Sequence, residues 1–287
     1  MVLGGPGFQP DAQSGAGVWL ARTAAGDDAY LKVTAAPPGP GDLAAARREL
    51  RVYRDLSPTL PVRTPPLLGA QDSEAGVAVL LGAVGAARPA AEWTEAMWAA
   101  VGAALGRLHN IPAPTGAEWA REDSTTAALD HPDQWAVDAF WGGKLADLER
   151  IVADGPNLRA AAGVFAPVFV HGDCHAGNVL YDDGAPVFCD WQSAGVGRPA
   201  SDLAFFSVRA TPSGTVVPSG LVEAYLRERR CDRLALHRAM VAEELLVFVF
   251  RWPEYAPFNT PPQIARVVRR TRELARIWFA AEQEDAS

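Results

Sequence analysis

Two short runs of apolar side chains separated by a polar turn predict that the chain begins with a β-hairpin followed by a helix. Residues 18–23 and 29–34 form the two predicted strands, the polar turn 25–28 joins them, and Lys32 alternates with the apolar Leu31 and Val33. After a stretch rich in proline and glycine, Asp42 is expected to cap a helix that runs to about Leu56. This part of the chain therefore predicts one antiparallel sheet and one helix.

The apolar pattern changes from strands to helices after residue 84. Residues 77–81 form an apolar run that predicts a strand, and residues 82–84 are expected to connect it to the rest of the chain. Residues 94–109 repeat apolar side chains at helical spacing, and Pro112 lies just beyond that helix. Three later segments also predict helices: 221–230, 235–250 and 263–282.

A second β-rich segment interrupts this helical part. Residues 168–170 and 179–181 are rich in β-forming side chains, and a turn at 182–184 leads into the run 186–189. The pattern predicts a strand, a loop, and then a hairpin of two strands.

Three polar side chains lie in or next to these strands. Asp173 falls in the loop, Asn178 opens the first hairpin strand, and Asp190 follows the second. Because the hairpin folds back on itself, Asp190 is expected to lie close to Asn178, with Asp173 beside them. Such oxygen ligands suit Mg²⁺, which prefers a few protein oxygens together with phosphate oxygens. A carboxylate outside the metal shell can orient and deprotonate an attacking hydroxyl, so the three residues predict a phosphoryl-transfer site.

Composition and charge narrow the class of protein. The chain has 287 residues, of which 49% are hydrophobic and 21% charged, as expected for a globular protein with an ample core. No apolar run is long enough to span a membrane, and the first residues lack the pattern of a signal peptide. The three cysteines suggest reduced thiols in a cytoplasm. The net charge of −8 argues against a nucleic-acid partner and is compatible with a cationic substrate.

The segment His171-Gly-Asp-Cys-His-Ala-Gly-Asn178, with Asp190-Trp191 after it, resembles a known pair of loops. These are the catalytic and metal-binding loops of the aminoglycoside phosphotransferase family, relatives of protein kinases that phosphorylate small molecules. The resemblance implies that Asp173 is the catalytic base, that Asn178 and Asp190 bind the metal, and that His171 supports the loop. The alternative is a polar hairpin with Asp and Asn at its turns, and the spacing of the motif weakens it.

The resemblance also implies a nucleotide-binding set near the N-terminus. Lys32 on the second strand and Glu49 on the following helix resemble the ion pair that positions nucleotide phosphates. Ser14, Gly15 and Gly17 resemble part of the glycine loop that covers those phosphates, although a full kinase glycine signature is absent. A solvated edge lysine and an ordinary intrahelical partner for Glu49 are the alternatives.

The fold implied by the resemblance covers nearly the whole chain. It is α+β: a bilobal protein-kinase-like fold with an N-terminal antiparallel sheet plus helix and a larger, mainly helical C-terminal lobe. Residues 1–84 are expected to form the nucleotide-binding lobe and connector, and residues 85–287 the catalytic and acceptor-binding lobe. Asp202 is expected to brace the catalytic loop, and His109 to pack at a helix end.

The implied function is Mg²⁺-dependent transfer of the γ-phosphoryl group of ATP, or of GTP, to a hydroxyl of a small molecule. Aminoglycosides, other antibiotics, choline-like alcohols and sugars are all candidate acceptors, so resistance and metabolic roles both stay open. One alternative is a catalytically weak nucleotide-binding relative, which the thin glycine loop allows. The other is a metal-dependent phosphoesterase built on Asp173 and His175, for which further ligands are missing downstream.

Two regions are candidates for the acceptor site. Residues 115–160 mix tryptophans with acidic side chains, which would suit a cationic or sugar-like acceptor, although ordinary amphipathic helices explain them equally well. Glu243, Glu244, residues 251–255 and Asn259 form the second group of candidates.

Overall fold

The structure, a computed structural model, has a sheet-rich N-terminal part and a larger, mainly helical C-terminal part; it describes residues 2–3, 16–35, 40–121 and 123–285. The strands are β1 (Val2–Leu3), β2 (Gly17–Arg22), β3 (Asp28–Ala35), β4 (Leu67–Ser73), β5 (Gly76–Gly82), β6 (Ala86–Ala87), β7 (Val168–Val170), β8 (Val179–Asp182), β9 (Ala185–Phe188) and β10 (Gly195–Gly197). The α-helices are α1 (Pro40–Arg51), α2 (Glu95–Leu108), α3 (Ser124–Asp130), α4 (Gln134–Trp141), α5 (Leu148–Ala153), α6 (Gly155–Ala162), α7 (Pro199–Ala210), α8 (Ser219–Glu228), α9 (Arg233–Leu246), α10 (Trp252–Tyr255) and α11 (Pro261–Asp285). The predicted α+β organisation is confirmed.

The N-terminal sheet has five antiparallel strands in the order β1-β2-β3-β5-β4. Lys32 lies on β3, between Val18 of β2 and Val79 of β5, so it is on an inner strand. Val77 and Val79 are buried because α1 packs against this side of the sheet with Leu50. The alternative of a solvated edge lysine is therefore wrong.

Helix α1 begins three residues earlier than the sequence predicts. It starts at Pro40, so Asp42 lies within the first turn and is not the cap. A proline is tolerated at a helix start because its missing N–H would have no intrahelical partner there, and an acidic side chain in the first turn favours the helix dipole. The chain stays helical to Leu56, as predicted, although Val52–Leu56 is a wider π-helical turn.

Two apolar cores organise the described residues. The first joins the N-terminal sheet and α1 to α2, α8 and the strands around β8, and its aromatic centre is Trp93, Trp98 and Phe206. The second lies among α4, α9 and α11 and includes Trp141 and Trp278. Among the described helices, none combines the length and the apolar character needed to cross a membrane.

Two of the three tryptophans in residues 115–160 are part of the apolar cores. Trp119 and Trp141 are buried in the two cores, and the Trp141 indole N–H donates to the backbone carbonyls of Phe248 and Val249. Trp135 is 80% exposed on α4 and is not among the residues that line the large cleft. For Trp119 and Trp141 the expectation of an acceptor-binding role is therefore wrong, because both side chains pack in the apolar cores.

Candidate active site

The loop after β7 has a sharp turn that only glycine fits. Gly172 has φ of +82°, and a Cβ atom there would lie 2.1 Å from the carbonyl oxygen of Ser193. Both the left-handed backbone and the close approach therefore require glycine at this position. The turn places Asp173 directly after it, at the edge of a large cleft.

Asp202 binds the backbone of this loop through both carboxylate oxygens. Oδ2 accepts from the backbone N–H of His171 at 2.8 Å, and Oδ1 accepts from that of Gly172 at 2.8 Å. His109, buried at the end of α2 as predicted, lies with Nε2 3.2 Å from Oδ2. Burial alone would raise the pKa of Asp202, but these hydrogen bonds and the two histidines lower it. The geometry is the brace that the resemblance implies.

Asn178 joins the loop to the hairpin. Its side-chain Nδ2 donates to the backbone oxygen of Asp173 at 2.9 Å and to the carboxylate Oδ2 at 3.1 Å. Its own backbone oxygen accepts from the N–H of Cys189 at 3.0 Å, which brings the end of β9 to the start of β8. The fold-back predicted from the sequence is present, and the Asn178 amide orientation leaves its Oδ1 available as a ligand.

Lys32 forms the ion pair with Glu49 that the sequence predicts, and it also contacts Asp190. Its Nζ lies 2.8 Å from Glu49 Oε2 and 2.9 Å from Asp190 Oδ1, and the lysine side chain is only 14% exposed. Burial alone would lower the pKa of Lys32, but the two carboxylates raise it above its ordinary value. Burial raises the pKa of Glu49, and Lys32 opposes that shift. The lysine is therefore held as a cation between two anions.

Asp190 sits in a left-handed backbone conformation, with φ of 62° and ψ of 63°. Few residues other than glycine adopt this region, and Asp and Asn are the best tolerated of them. The backbone N–H of Asp190 donates to the hydroxyl of buried Tyr53 at 3.3 Å. This conformation points a 38% exposed carboxylate into the cleft, with Oδ1 on Lys32 and Oδ2 left over.

The oxygen donors present here fit Mg²⁺ that is shared with phosphate groups. Asn178 and Asp190 offer one amide and one carboxylate oxygen, and Mg²⁺ commonly takes one or two protein ligands beside substrate phosphates. Within the described parts of the chain, no group of three or more His, Cys, Asp or Glu side chains is placed to hold a metal. A phosphoesterase with two protein-bound metals needs such a group, so this alternative has no structural support.

His175 caps the short turn beside Asp173 and is neutral. Its Nδ1 accepts from the backbone N–H of Gly177 at 3.0 Å, and its Nε2 lies 3.8 Å from Asp173 Oδ2. Burial lowers the pKa of His175 to about 4, although Asp173 opposes the shift. The uncharged ring is therefore the form that fits this position near neutral pH.

This shift predicts how stability depends on pH. Between about pH 6.5 and about pH 4, the unfolded chain binds a proton at His175 that the folded protein does not, so stability falls as the pH falls. We expect His175→Asn, which keeps a capping acceptor, to lose less stability over this window, by on the order of 1–3 kcal/mol. Urea unfolding across the window measures this, with exposed His237→Asn as control. Equal pH profiles for wild type and His175→Asn would contradict it.

The predicted phosphate loop lies mostly outside the described residues. Ser14 and Gly15 both lie outside the described residues, so their expected contacts with the phosphates stay predictions. Gly17 is the first residue of β2, paired with Val33, and its neighbour Val18 lines the cleft.

The cleft, of about 1640 Å³, extends from Lys32 and Val84 past Asp173 towards α10. Four acceptor candidates from the sequence line its far end, together with Trp252: Glu243, Arg251, Tyr255 and Asn259. Glu244 does not, because it binds Arg270 through both carboxylate oxygens at 3.0 Å and accepts from Ser207. The expectation for Glu244 is therefore wrong.

Sequence reasoning missed the arginines of this cleft. Arg48, Arg121 and Arg198 come from three distant segments and lie near one another only in the folded chain. Of the three, Arg198 lies directly before Pro199, the residue that begins α7.

Comparison with known proteins identifies similar sequences and folds. The sequence profile described as "Phosphotransferase enzyme family" matches residues 10–238. None of the curated proteins matches this chain. Three solved structures share its fold. An amicoumacin kinase in complex with AMP-PNP, Ca²⁺ and its ligand Ami is 15% identical, with a TM-score of 0.58 over 93% of this chain and 89% of that one.

A spectinomycin phosphotransferase in complex with ADP and spectinomycin is 15% identical, with a TM-score of 0.55 over 93% of this chain and 90% of that one. An aminoglycoside phosphotransferase from Alicyclobacillus acidocaldarius is 14% identical, with a TM-score of 0.59 over 96% of this chain and 91% of that one. At these identities the likeness concerns the fold, and it confirms the kinase-like fold expected from the sequence.

Proposed function

Because the chain belongs to the phosphotransferase enzyme family, we propose that it transfers the γ-phosphoryl group of ATP, or of GTP, to a hydroxyl of a small molecule with the help of Mg²⁺. The observation that carries this proposal is the position of two sets of residues on one cleft. Lys32 lies there between Glu49 and Asp190, and the hydrogen-bonded pair Asp173 and Asn178 lies beside them.

The nucleotide would bind between the sheet and the hairpin. Lys32 would donate to its phosphates, held in place by Glu49. In the connector, the backbone N–H groups of Gly82 and Ala83 already donate to other backbone carbonyls, whereas Val84 lines the cleft, so we assign adenine recognition to the backbone of Val84. Residues 1–84 then form the nucleotide lobe, and residues 85–287 the catalytic and acceptor lobe.

Asp173 would act on the acceptor hydroxyl. The hydroxyl oxygen forms a bond to the γ-phosphorus, the bond from that phosphorus to the bridging oxygen of the diphosphate breaks, and the hydroxyl proton passes to Asp173. The amide of Asn178 fixes Oδ2 of this carboxylate, so Oδ1 is the oxygen that can face the hydroxyl. Mg²⁺ held by Asn178 and Asp190 would neutralise charge on the phosphates.

Support for this proposal also comes from proteins of similar fold. The complexes of the amicoumacin kinase and of the spectinomycin phosphotransferase contain AMP-PNP with Ca²⁺ and ADP, respectively. A catalytically weak relative is the second candidate, and the complete set of Lys32, Asp173, Asn178 and Asp190 argues against it.

A transfer assay tests the proposal directly. Labelled ATP and GTP are each incubated with the protein, Mg²⁺ and a panel of aminoglycosides, macrolides, choline, homoserine, simple sugars and sugar acids, and labelled products are separated by chromatography. Transfer to one acceptor supports the kinase. Nucleotide binding without Mg²⁺ dependence, or no nucleotide binding, would overturn it.

Removing the metal ligand should remove the effect of the metal. We expect Asp190→Ala to bind ATP with the same affinity whether Mg²⁺ or EDTA is present, because the carboxylate that would share the metal with phosphate is gone. Calorimetric titration with ATP measures this. Asp182→Ala, which loses only a half-exposed pair with Arg63, is the control and should keep the wild-type response. A full Mg²⁺ effect in Asp190→Ala would contradict the assignment.

A further inference from the structure

Outside the proposed nucleotide-binding and catalytic set, arginines outnumber carboxylates along the cleft. The cationic side chains that line the cleft, apart from Lys32, are Arg48, Arg121, Arg198, Arg209 and Arg251. Apart from the proposed catalytic set, the carboxylates of the described residues that line the cleft are Asp123 and Glu243. These remaining side chains of the cleft therefore carry a net positive charge, although the whole chain has a net charge of −8.

Both of these carboxylates are already bound by one arginine. Glu243 receives Arg198 in a bidentate pair, with Nε to Oε1 at 2.5 Å and Nη2 to Oε2 at 3.0 Å. Asp123 is hydrogen-bonded to Nη1 and Nη2 of the same guanidinium. A cationic acceptor would have to compete with Arg198 for these groups, so they do not form a free acidic site.

Arg121 is partly buried and makes few contacts with hydrogen-bond acceptors. Among the described residues its one hydrogen-bond partner is the carbonyl oxygen of Gly172, which lies 3.5 Å from Nη2. No carboxylate of the described residues lies within 4.0 Å of its guanidinium. The group packs against Gly197, where a Cβ atom would be 2.8 Å from Nη1. The fold thus places a guanidinium that has no carboxylate partner among the described residues against Gly172, the residue that precedes Asp173.

The positive charges of Arg198 and Arg48 lie near that of Arg121. Burial lowers the pKa of Arg121, and Arg198 adds to the effect, although more distant carboxylates oppose it. Burial likewise lowers the pKa of Arg48, and the positive charge of Arg121 lowers it further. Arg48 donates only to backbone carbonyls, those of Gln192 at 3.3 Å and Ala120 at 3.0 Å. Partly desolvated cations without a counter-ion are costly, and a bound anion relieves that cost.

We propose that the acceptor is itself an anion: a hydroxyl compound with a carboxylate or phosphate group that Arg121 binds while the hydroxyl lies at Asp173. A guanidinium forms two parallel hydrogen bonds with either anion, which would fix the orientation of the acceptor. Arg48 and Arg209 add attraction from the walls of the cleft. Polycationic aminoglycosides would be repelled. This inference rests on the proposed transferase function.

Sugars that share a ring but differ in charge test the proposal. Glucuronate, glucose 6-phosphate, glucose and glucosamine are titrated calorimetrically into the full chain in the presence of ADP and Mg²⁺. We expect one or both anionic sugars to bind at least about tenfold more tightly than glucose, and glucosamine to bind most weakly. The preference should shrink as the salt concentration rises. Which anionic sugar binds better identifies carboxylate or phosphate as the recognised group.

Variants locate the effect at Arg121. Arg121→Gln should weaken binding of the preferred anionic sugar by about 10- to 100-fold and leave glucose unchanged. Arg121→Lys should retain part of the preference, because it keeps the charge and loses the bidentate geometry. Arg233→Gln removes a guanidinium outside the cleft, where it pairs with Glu223, and should behave as wild type.

Two results would overturn the inference: no anionic sugar binds better than glucose, or Arg121→Gln weakens all four sugars equally. The proposed function fails separately. Nucleotide binding is measured in the same protein without any sugar. If no nucleotide binds, the transferase proposal is wrong, whereas the preference for anionic sugars can still be measured.

Discussion

Asp173→Asn is expected to slow phosphoryl transfer by about 10²- to 10⁴-fold, the usual contribution of a positioned general base, and to leave nucleotide affinity unchanged. The variant removes the group that would orient the acceptor hydroxyl and take its proton. Lys32 and Asp190, which would hold the phosphates and the metal, make no hydrogen bond to Asp173.

The substitution also preserves the loop. The shorter of the two hydrogen bonds from Asn178 goes to the backbone oxygen of residue 173, which every side chain supplies. The amide oxygen of an asparagine at 173 can still accept the second one. A loss of transfer in Asp173→Asn would therefore reflect chemistry and not a collapsed loop.

The matched control is Asp183→Asn. Asp183 lies at the turn between β8 and β9 with φ of 48°, a conformation that asparagine also tolerates. Single-turnover transfer and ATP titration are measured for wild type and both variants with one confirmed acceptor. If Asp173→Asn transferred phosphate at the wild-type rate, another group would have to be the base.

The sequence predicts those features that depend on local pattern. The strands β7, β8 and β9 follow from β-forming runs and a turn rich in Asp and Gly, and the contact of Asn178 with the Asp173 loop follows from their short separation. The pairing of Lys32 with Glu49 follows from a strand and the next helix.

Features that depend on distant contacts could not be predicted in this way. The second partner of Lys32 is Asp190, far along the chain, and the left-handed backbone of Asp190 has no local marker. Arg121 has no carboxylate partner among the described residues because Arg198 already binds Glu243 and Asp123. The two π-helical turns, Val52–Leu56 and Val247–Arg251, contain no proline or glycine that would announce them.

Lys32→Met is expected to lower the free energy of unfolding by about 3–5 kcal/mol, because it leaves a buried carboxylate without its partner. Glu49 has a side chain only 3% exposed, and its remaining hydrogen bond comes from the backbone N–H of Trp191. Methionine fills nearly the same volume as the lysine stem, so packing changes little. The loss measured by urea unfolding would thus be mainly electrostatic.

The double variant separates the effect of Lys32 on stability from its proposed role in phosphoryl transfer. Lys32→Met with Glu49→Gln removes both members of the buried pair, and we expect it to regain most of the lost stability, since a neutral amide is far cheaper to bury than a carboxylate. Glu49→Gln alone should cost less than Lys32→Met, because Lys32 keeps Asp190 as a partner. Transfer activity should stay lost in the double variant, because no cation remains for the phosphates.

The pH dependence gives an independent check on the cause. In Lys32→Met, burial raises the pKa of Glu49 and no lysine opposes the shift. Above pH 4.5, the ordinary pKa of Glu49, the folded variant therefore keeps a proton on this carboxyl group that the unfolded chain has released. The difference in the free energy of unfolding between wild type and Lys32→Met should therefore grow as the pH rises from 5 to 8 and shrink as the pH falls. A deficit of the same size at every pH, with no recovery in the double variant, would mean that Lys32 stabilises the fold through packing and not as the counter-ion of Glu49.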